Sequence, residues 1–225
     1  MKTNYIIAAI RPWNEELFKE FFGRKHNFHL ISRREDLTIE RVRKIAPRYI
    51  FFPHWSWIIP EEIWSEYECV VFHMTDLPYG RGGSPLQNLI SRGHKKTKMS
   101  ALRVDGGLDT GPIYLKRAFS LKGDAEAIYR RASRMVFKDM IPRIVSRNPQ
   151  PRAQAGKVVS FSRRTPADSR VTDEMSLEEI YDLVRMLDAP GYPKAFIEGK
   201  GWRMELTKAK RSKSGLSLSA SIQKI

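Results

Sequence analysis

The first third of the chain alternates short, continuous apolar runs with amphipathic stretches. The apolar runs predict buried strands at residues 5–10, 28–31, 49–52 and 69–72, and the helical spacing between them predicts helices at 14–22, 38–45 and 61–67. Repeated strand–helix units with continuous apolar strands are typical of a parallel sheet that is covered on both faces. The first 75 residues therefore predict a Rossmann-like α/β half-domain.

The later pattern predicts a longer helical region and a small C-terminal part. It indicates a helix at 85–91, strands at 98–104 and 112–119, and a helix at 124–146, capped by Asp124 and kinked or shortened at Pro142. Residues rich in Pro, Gln, Gly, Ser and Arg then predict a linker. A helix at 177–187 follows, with Ser176 and Glu179 as a capping box, and alternation at 202–207 and 216–222 predicts a hairpin. We expect a main domain at 1–150, a linker at 151–175 and a small α+β subdomain at 176–225.

Composition and charge narrow the class of protein without choosing a function. The 225 residues carry a net charge of +15, which suits nucleic acid, an anionic membrane or a phosphorylated small molecule. Cys69 is the single cysteine, so an internal disulfide is excluded and a reducing cytoplasm is expected. The first apolar stretch is too short for a signal peptide or a membrane span, so we expect a cytoplasmic protein with no membrane partner.

Three segments carry candidate chemistry. His73 ends the fourth predicted strand, where ligands bind in parallel sheets, and a glycine-rich loop follows it. Asp109 lies in a second glycine-rich loop at 106–111, and an aromatic segment at 52–59 follows the third strand. Taken one at a time, each has an ordinary structural interpretation: a core histidine, a plain turn, and core packing.

Taken together, these segments resemble the folate-dependent formyltransferase family. The family pattern Asn-x-His-x-Ser-Leu-Leu-Pro-x-Tyr-Arg-Gly-x-x-Pro, followed by Leu-Asp-Thr-Gly, corresponds here to the segments 71–85 and 108–111, and Asp109 follows His73 by 36 residues. The Phe-His-Met-Thr-Asp-x-Pro-Tyr-Gly-Arg-Gly-Gly-Ser-Pro form is similar to amino-sugar N-formyltransferases of pseudaminic-acid-type pathways and to the formylation domain of the linear gramicidin synthetase. The segment 185–196 also resembles sugar N-formyltransferases.

The resemblance implies a Rossmann-like formyltransferase fold with a mostly parallel sheet, residues 1–150 being its catalytic domain. It implies transfer of a formyl group from 10-formyltetrahydrofolate to the primary amine of a nucleotide-linked amino sugar, as in surface-polysaccharide biosynthesis, with His73 and Asp109 as catalytic residues and no metal. The predicted folate-binding residues are Phe52, His54, Trp55, Ser56, Trp57 and Ile59. The predicted acceptor-binding residues are Met74, Tyr79, Gly80, Arg81 and Gly83.

One departure from the family pattern concerns the oxyanion that develops during transfer. The family's asparagine, two residues before the histidine, is Val71 here, and the valine side chain cannot donate a hydrogen bond. Either a neighbour such as His54 or Asn88 replaces it, or the oxyanion is held differently. Two alternative functions remain open: a methionyl-tRNA formyltransferase-like enzyme, which the charge favours and the small C-terminal part disfavours, and a non-catalytic nucleotide- or RNA-binding module. A homodimer is a further expectation from the resemblance.

Overall fold

A six-stranded sheet forms the centre of the fold in the computed structural model, which describes residues 3–225. Along the sheet the strand order is β2-β1-β3-β4-β6-β7. Strands β1 to β4 pair in parallel, and β6 runs antiparallel to β4. The mostly parallel, Rossmann-like sheet that the sequence predicted is confirmed. Its strands are β1 (Asn4–Ala8), β2 (Phe28–Ile31), β3 (Pro47–Phe52), β4 (Cys69–His73), β6 (Lys96–Arg103) and β7 (Ile113–Ser120).

Seven α-helices accompany the strands in the part of the chain that the structure describes. They are α1 (Pro12–Phe22), α2 (Ile39–Ile45), α3 (Glu61–Trp64), α4 (Pro85–Ser91), α5 (Ala125–Met135), α6 (Ile141–Arg147) and α7 (Leu177–Leu187). No helix within residues 3–225 has the length and apolar character needed to cross a membrane.

The chain divides into two compact units. The first contains the residues up to Arg81 together with Lys98–Phe119 and Arg130–Ser160, and the second contains Gly82–Thr97, Ser120–Tyr129 and Phe161–Ile225. Each unit is built from stretches that lie far apart in the sequence. The predicted boundaries at residues 150 and 175 stay a prediction.

Apolar side chains between the sheet and its helices form the core of the first unit. Ile6, Ile50 and Phe52 contribute from the strands, and Val42 and Ile63 contribute from α2 and α3. Each of these side chains is at most 1% exposed, so burial removes nearly all of its apolar surface from water. This packing fixes the carboxyl ends of β3 and β4, where the candidate chemistry begins.

The long predicted helix at 124–146 is interrupted. A π-helical turn at Val136–Met140 separates α5 from α6, and the amide of Ile141 bonds the carbonyl of Val136. Pro142 has no N–H to donate in the helical hydrogen-bond ladder, and the wider turn lies next to it. At the start of this region, the carboxylate of Asp124 accepts from the amide of Ala127 at 2.8 Å, which agrees with the predicted cap.

Three short strands were absent from the sequence prediction. β5 (Tyr79–Gly82) pairs with β8 (Val159–Phe161), and β9 (Ala195–Gly199) pairs with β10 (Trp202–Arg211). The glycine-rich sequence of β5 gives little strand signal, because its extended conformation depends on a partner almost 80 residues away. The segment predicted as a linker at 151–175 therefore contains a strand.

The second unit is an antiparallel sheet packed with helices α4 and α7. Its strand order is β11-β10-β9, where β11 is Leu216–Lys224, and the predicted hairpin is formed by β10 and β11. The capping box at Ser176 and Glu179 is present. The guanidinium of Arg185 is buried, and it donates to the carbonyls of Leu121 and Gly123 at 2.8 and 2.9 Å. Because these bonds replace its lost hydration, the buried cation is tolerated.

Candidate active site

His73 is the last residue of β4 and lies opposite Ser100 of β6. Its side chain is about one-tenth exposed, and its Nε2 lies 2.7 Å from the carbonyl oxygen of Gly80. A carbonyl oxygen only accepts hydrogen bonds, so Nε2 carries the proton in this arrangement. The other ring nitrogen, Nδ1, is thereby left as the atom that can gain or lose a proton.

The carbonyl of Gly80 is fixed by a second donor and by the backbone of its own residue. Thr75 is fully buried, and its hydroxyl donates to the same oxygen at 3.2 Å, while the hydroxyl of Ser100 donates to the carbonyl of Thr75 at 2.7 Å. Gly80 has a φ of 79°, in the region that favours glycine. The loop after β4 thus holds the acceptor that sets the orientation of the His73 ring.

Asp109 approaches the ring from the loop between β6 and β7. Its Oδ2 lies 3.4 Å from Nδ1 of His73, and its side chain is 15% exposed. Asp109 has a φ of 55°, which few residues other than glycine, asparagine and aspartate adopt. The tip of the loop is tied by Asp105, which accepts from the amide of Gly107 at 3.2 Å and the hydroxyl of Thr110 at 2.7 Å. The structure therefore brings the imidazole of His73 and the carboxylate of Asp109 together as a couple.

Gln154 connects the Asp109 loop to Arg81. Its amide nitrogen donates to the carbonyls of Asp109 and Gly111 at 2.8 and 2.9 Å. Its amide oxygen accepts from Nε and Nη2 of Arg81 at 3.1 and 2.8 Å. Sequence reasoning missed Gln154, because a lone glutamine in an irregular segment carries no pattern. Arg81, predicted to bind the acceptor, uses two of its N–H donors within the protein.

Asp76 and two lysines form an ionic group on the same loop. Lys98 and Lys116 lie 3.0 and 2.6 Å from the two carboxylate oxygens of Asp76, and Lys116 also donates to the carbonyl of Leu77. Burial works to raise the pKa of Asp76, but the hydrogen bonds from Lys116 and Lys98 outweigh it and lower the pKa. These contacts tie the loop to strands β6 and β7.

The predicted folate-binding segment after β3 divides into core residues and accessible residues. Phe52 and Ile59 are buried in the core of the first unit, and Trp55 packs against that core. Ser56 is exposed, and Trp57 is 37% exposed with the guanidinium of Arg34 over its ring. The indole N–H of Trp55 is buried and has no acceptor within residues 3–225. The segment therefore offers the exposed aromatic surface of Trp57 to a ligand, while the N–H of Trp55 is enclosed.

His54, in the same segment, has a pKa well below that of a free imidazole. Burial lowers the pKa of its imidazole to about 4, and the nearby guanidinium of Arg11 contributes to the shift. Its φ of 59° is in the left-handed region, and the edge of Trp13 lies against its ring with the centroids 5.9 Å apart. His54 is therefore neutral at pH 7.

Two positions bear on the hydrogen bond to the oxyanion: Val71, where the family has asparagine, and Asn88, one of the suggested replacements. Val71 packs against the core of the first unit, so its position is apolar. Asn88 lies in the second unit, where its amide nitrogen is 2.9–3.1 Å from the carbonyls of Gly83, Ser84 and Ser162. Because an amide nitrogen has only two hydrogens, the donors of Asn88 are already used in holding this turn.

The remaining predicted acceptor-binding residues differ in their surroundings. Met74 is 7% exposed, and Tyr79 is half-buried at the start of β5. In the second unit, a side chain at Gly83 would come within 2.6 Å of Cβ of Arg163, so no larger residue fits there without a shift. Hydrogen bonds link His73 to Gly80 and, through Gln154, Arg81 to the Asp109 loop, and the 3.4 Å contact between His73 and Asp109 joins the two pairs.

Within residues 3–225 there is no group of three or more His, Cys, Asp and Glu side chains placed to hold a metal ion.

Comparison with known sequences shows the family. The profile described as formyl transferase matches residues 18–143, which is more than half of the chain. The chain therefore belongs to the formyl transferase family, as the sequence predicted. A second profile, described as the C-terminal domain of methionyl-tRNA formyltransferase, matches residues 166–224.

Two relatives of higher identity are methionyl-tRNA formyltransferases. The solved structure of a methionyl-tRNA formyltransferase from Clostridium thermocellum is 49% identical, covers 99% of this chain and 100% of its own, and superposes with a TM-score of 0.96. The methionyl-tRNA formyltransferase of Rickettsia felis is 38% identical over 91 residues, which are 40% of this chain and 30% of that protein. The chain thus spans only part of that relative.

The predicted acceptor, a nucleotide-linked amino sugar, is wrong. A sugar N-formyltransferase from Shewanella matches 99% of this chain and 97% of its own at 14% identity with a TM-score of 0.66, which shows the fold alone. The alternative that the sequence left open, a methionyl-tRNA formyltransferase-like enzyme, was disfavoured only because the C-terminal part is small. That ground fails, because α7 and the sheet β9–β11 match the C-terminal profile of methionyl-tRNA formyltransferases. The nucleotide-sugar partner and the polysaccharide pathway are withdrawn with it.

Proposed function

We propose that the chain transfers the formyl group of 10-formyltetrahydrofolate to the α-amino group of methionyl-tRNA, in the cytoplasm. The observation that carries the proposal is the His73–Asp109 couple, 3.4 Å apart, in a chain that matches a methionyl-tRNA formyltransferase over its whole length at 49% identity. The net charge of +15 supports a polyanionic acceptor, because neutralising phosphates releases counterions.

The donor site is proposed for the segment after β3. Trp55 and Trp57 present aromatic surface, and the indole N–H of Trp55 lacks an acceptor within residues 3–225. Asn14, whose amide nitrogen donates to the carbonyl of Pro53 at 3.2 Å, is fully buried, as is the indole N–H of Trp55. The proposed contact with the flat heterocycle of the donor is therefore stacking on the exposed ring of Trp57.

The chemistry requires one proton to leave the attacking amine and one to reach the folate nitrogen as the carbon–nitrogen bond to the donor breaks. Nε2 of His73 is fixed as a donor to Gly80, so the site that exchanges a proton is Nδ1 with the carboxylate of Asp109. The ring that has accepted the proton of the amine can then return it to the folate nitrogen. His73 and Asp109 therefore act as one acid–base unit.

The test measures formyl transfer from labelled 10-formyltetrahydrofolate to methionyl-initiator tRNA, with uncharged tRNA and free methionine as control acceptors. We expect turnover with charged tRNA only, a loss of about a hundredfold or more in His73→Ala, and a strong decline as salt is raised. A wild type that binds folate and tRNA without any turnover would reject the proposal in favour of a non-catalytic binding module. Equal turnover with free methionine would reject tRNA as the acceptor.

A further inference from the structure

Gln154 is not among the predicted site residues, but its carboxamide contacts two parts of the site at once. It donates to the two carbonyls of the Asp109 loop at 2.8 and 2.9 Å, and it accepts twice from Arg81. The opposite orientation of the amide would place its oxygen against two carbonyls and its nitrogen against a guanidinium. The network therefore fixes which atom is which.

The backbone that carries Gln154 is anchored to the same sheet. Arg152, two residues earlier, forms an antiparallel bridge with Ile113, the first residue of β7, with N–O distances of 2.7 and 2.9 Å. The Asp109 loop ends where β7 begins, so the Gln154 side chain and its target share one anchor. A half-buried side chain on a fixed backbone can hold the loop with little loss of conformational freedom.

The loop needs such a restraint at Asp109 itself. The φ of 55° at this residue is rarely adopted by a residue with a side chain, and the carbonyl that Gln154 holds belongs to that residue. Gln154 also donates to the carbonyl of Gly111. A Cβ added at Gly111 would come within 1.7 Å of the carbonyl oxygen of Arg103, so no side chain fits at this end of the turn. Gln154 therefore clamps both ends of the turn that aims the carboxylate at Nδ1 of His73.

We propose that Gln154 is a positioning residue for the formyl transfer. It holds the Asp109 carboxylate against His73, and Arg81 in turn holds Gln154. Only a carboxamide meets both demands, because its nitrogen donates to the two carbonyls while its oxygen accepts from the guanidinium. Glutamate would keep the contact with Arg81 and would set a carboxylate oxygen against the carbonyls. The expected loss of turnover rests on the proposed function, whereas the expected change at Nδ1 of His73 rests on geometry alone.

The test compares Gln154→Glu and Gln154→Ala with Gln150→Glu, a matched control in the same segment whose side chain is exposed. The structural readout is the ¹⁵N spectrum of the His73 imidazole, which needs no acceptor. We expect the Nδ1 signal to move in both Gln154 variants and the Nε2 signal to stay, because the bond to Gly80 is untouched. Unchanged Nδ1 signals in both variants would overturn the proposal, whatever the acceptor proves to be.

The kinetic readout separates positioning from binding. We expect kcat to fall about tenfold in Gln154→Ala and ten- to a hundredfold in Gln154→Glu, with KM for the folate donor nearly constant and a changed pH dependence of kcat. Gln150→Glu should match the wild type. If the wild type has no turnover with methionyl-tRNA, the proposed function fails while the spectra still decide the role of Gln154. A rise in KM alone, with kcat and the Nδ1 signal unchanged, would contradict positioning.

Discussion

Replacement of Asp109 by asparagine removes the negative charge beside His73 and leaves the loop intact. Asparagine is close in shape to aspartate and readily adopts a positive φ, so the 55° at this residue imposes no added strain. The backbone carbonyl still accepts from Gln154. The substitution therefore reports on the charge of the carboxylate rather than on the conformation of the backbone.

The size of the effect follows from the distance and the burial. Two unit charges 3.4 Å apart attract by about 5 kcal/mol at an effective dielectric constant near 20. Partial access of water reduces this value, so we expect turnover to fall by about a hundredfold, the loss typical of a positioned acid–base group.

The assay is single-turnover formylation of methionyl-tRNA with saturating 10-formyltetrahydrofolate, which separates the chemical step from product release. The matched control is Asp105→Asn, in the same loop, where an amide oxygen can still accept from Gly107 and Thr110. We expect this control to retain near wild-type turnover. A value for Asp109→Asn within threefold of wild type would refute the assignment of Asp109 to the acid–base unit.

Three further predictions concern stability. The pKa of His54 is depressed to about 4, so the unfolded chain takes up a proton before the native one does, and stability that is full above pH 6.5 should decline by about 2–3 kcal/mol toward pH 4. In urea unfolding at pH 7 and pH 4.5, His54→Gln should lose less than the wild type; an equal loss would contradict this. Gly111→Ala places a Cβ 1.7 Å from the carbonyl of Arg103, so we expect a destabilisation of about 3 kcal/mol or more, seen as a lower Tm, and an unchanged Tm would show that the loop can move. Ser176→Ala removes the cap of α7 and should cost about 1 kcal/mol in urea unfolding, with the exposed Ser56→Ala as a control; equal midpoints would show that the cap adds nothing.

Val71 stands where the family pattern has an asparagine, whose amide can donate a hydrogen bond to the oxyanion. The valine side chain is instead part of the apolar packing around β4. The amide of Asn88 is occupied by three carbonyls of its own unit. Neither of these two side chains is therefore available to the developing oxyanion in this structure. Val71→Asn tests this point, since an increase in kcat is expected if a missing donor limits the rate.

Much of the secondary structure could be predicted because its causes are local. Continuous apolar runs mark β1 to β4, and the box of Ser176 and Glu179 marks the start of α7 within the sequence itself. The π-helical turn at Val136–Met140 could be expected only as a kink at Pro142, because the choice between a kink and a wider turn depends on packing. Strands β5 and β8 were missed because neither has a strand pattern of its own.

The family, the Rossmann-like class of the main sheet, and His73 and Asp109 as catalytic candidates could be recognised from the sequence, since they depend on motif, periodicity and spacing. The form of the glycine-rich loop at 79–85 led to the wrong acceptor. The likeness over the whole chain to a methionyl-tRNA formyltransferase overturned the predicted nucleotide sugar. The folded chain was needed to see that Nδ1 of His73 faces Asp109, that the carbonyl of Gly80 fixes Nε2, and that Gln154 joins Arg81 to the Asp109 loop. Each of these contacts joins atoms brought together by strand pairing and loop closure, and hydrogen-bond geometry leaves no periodic trace in a sequence.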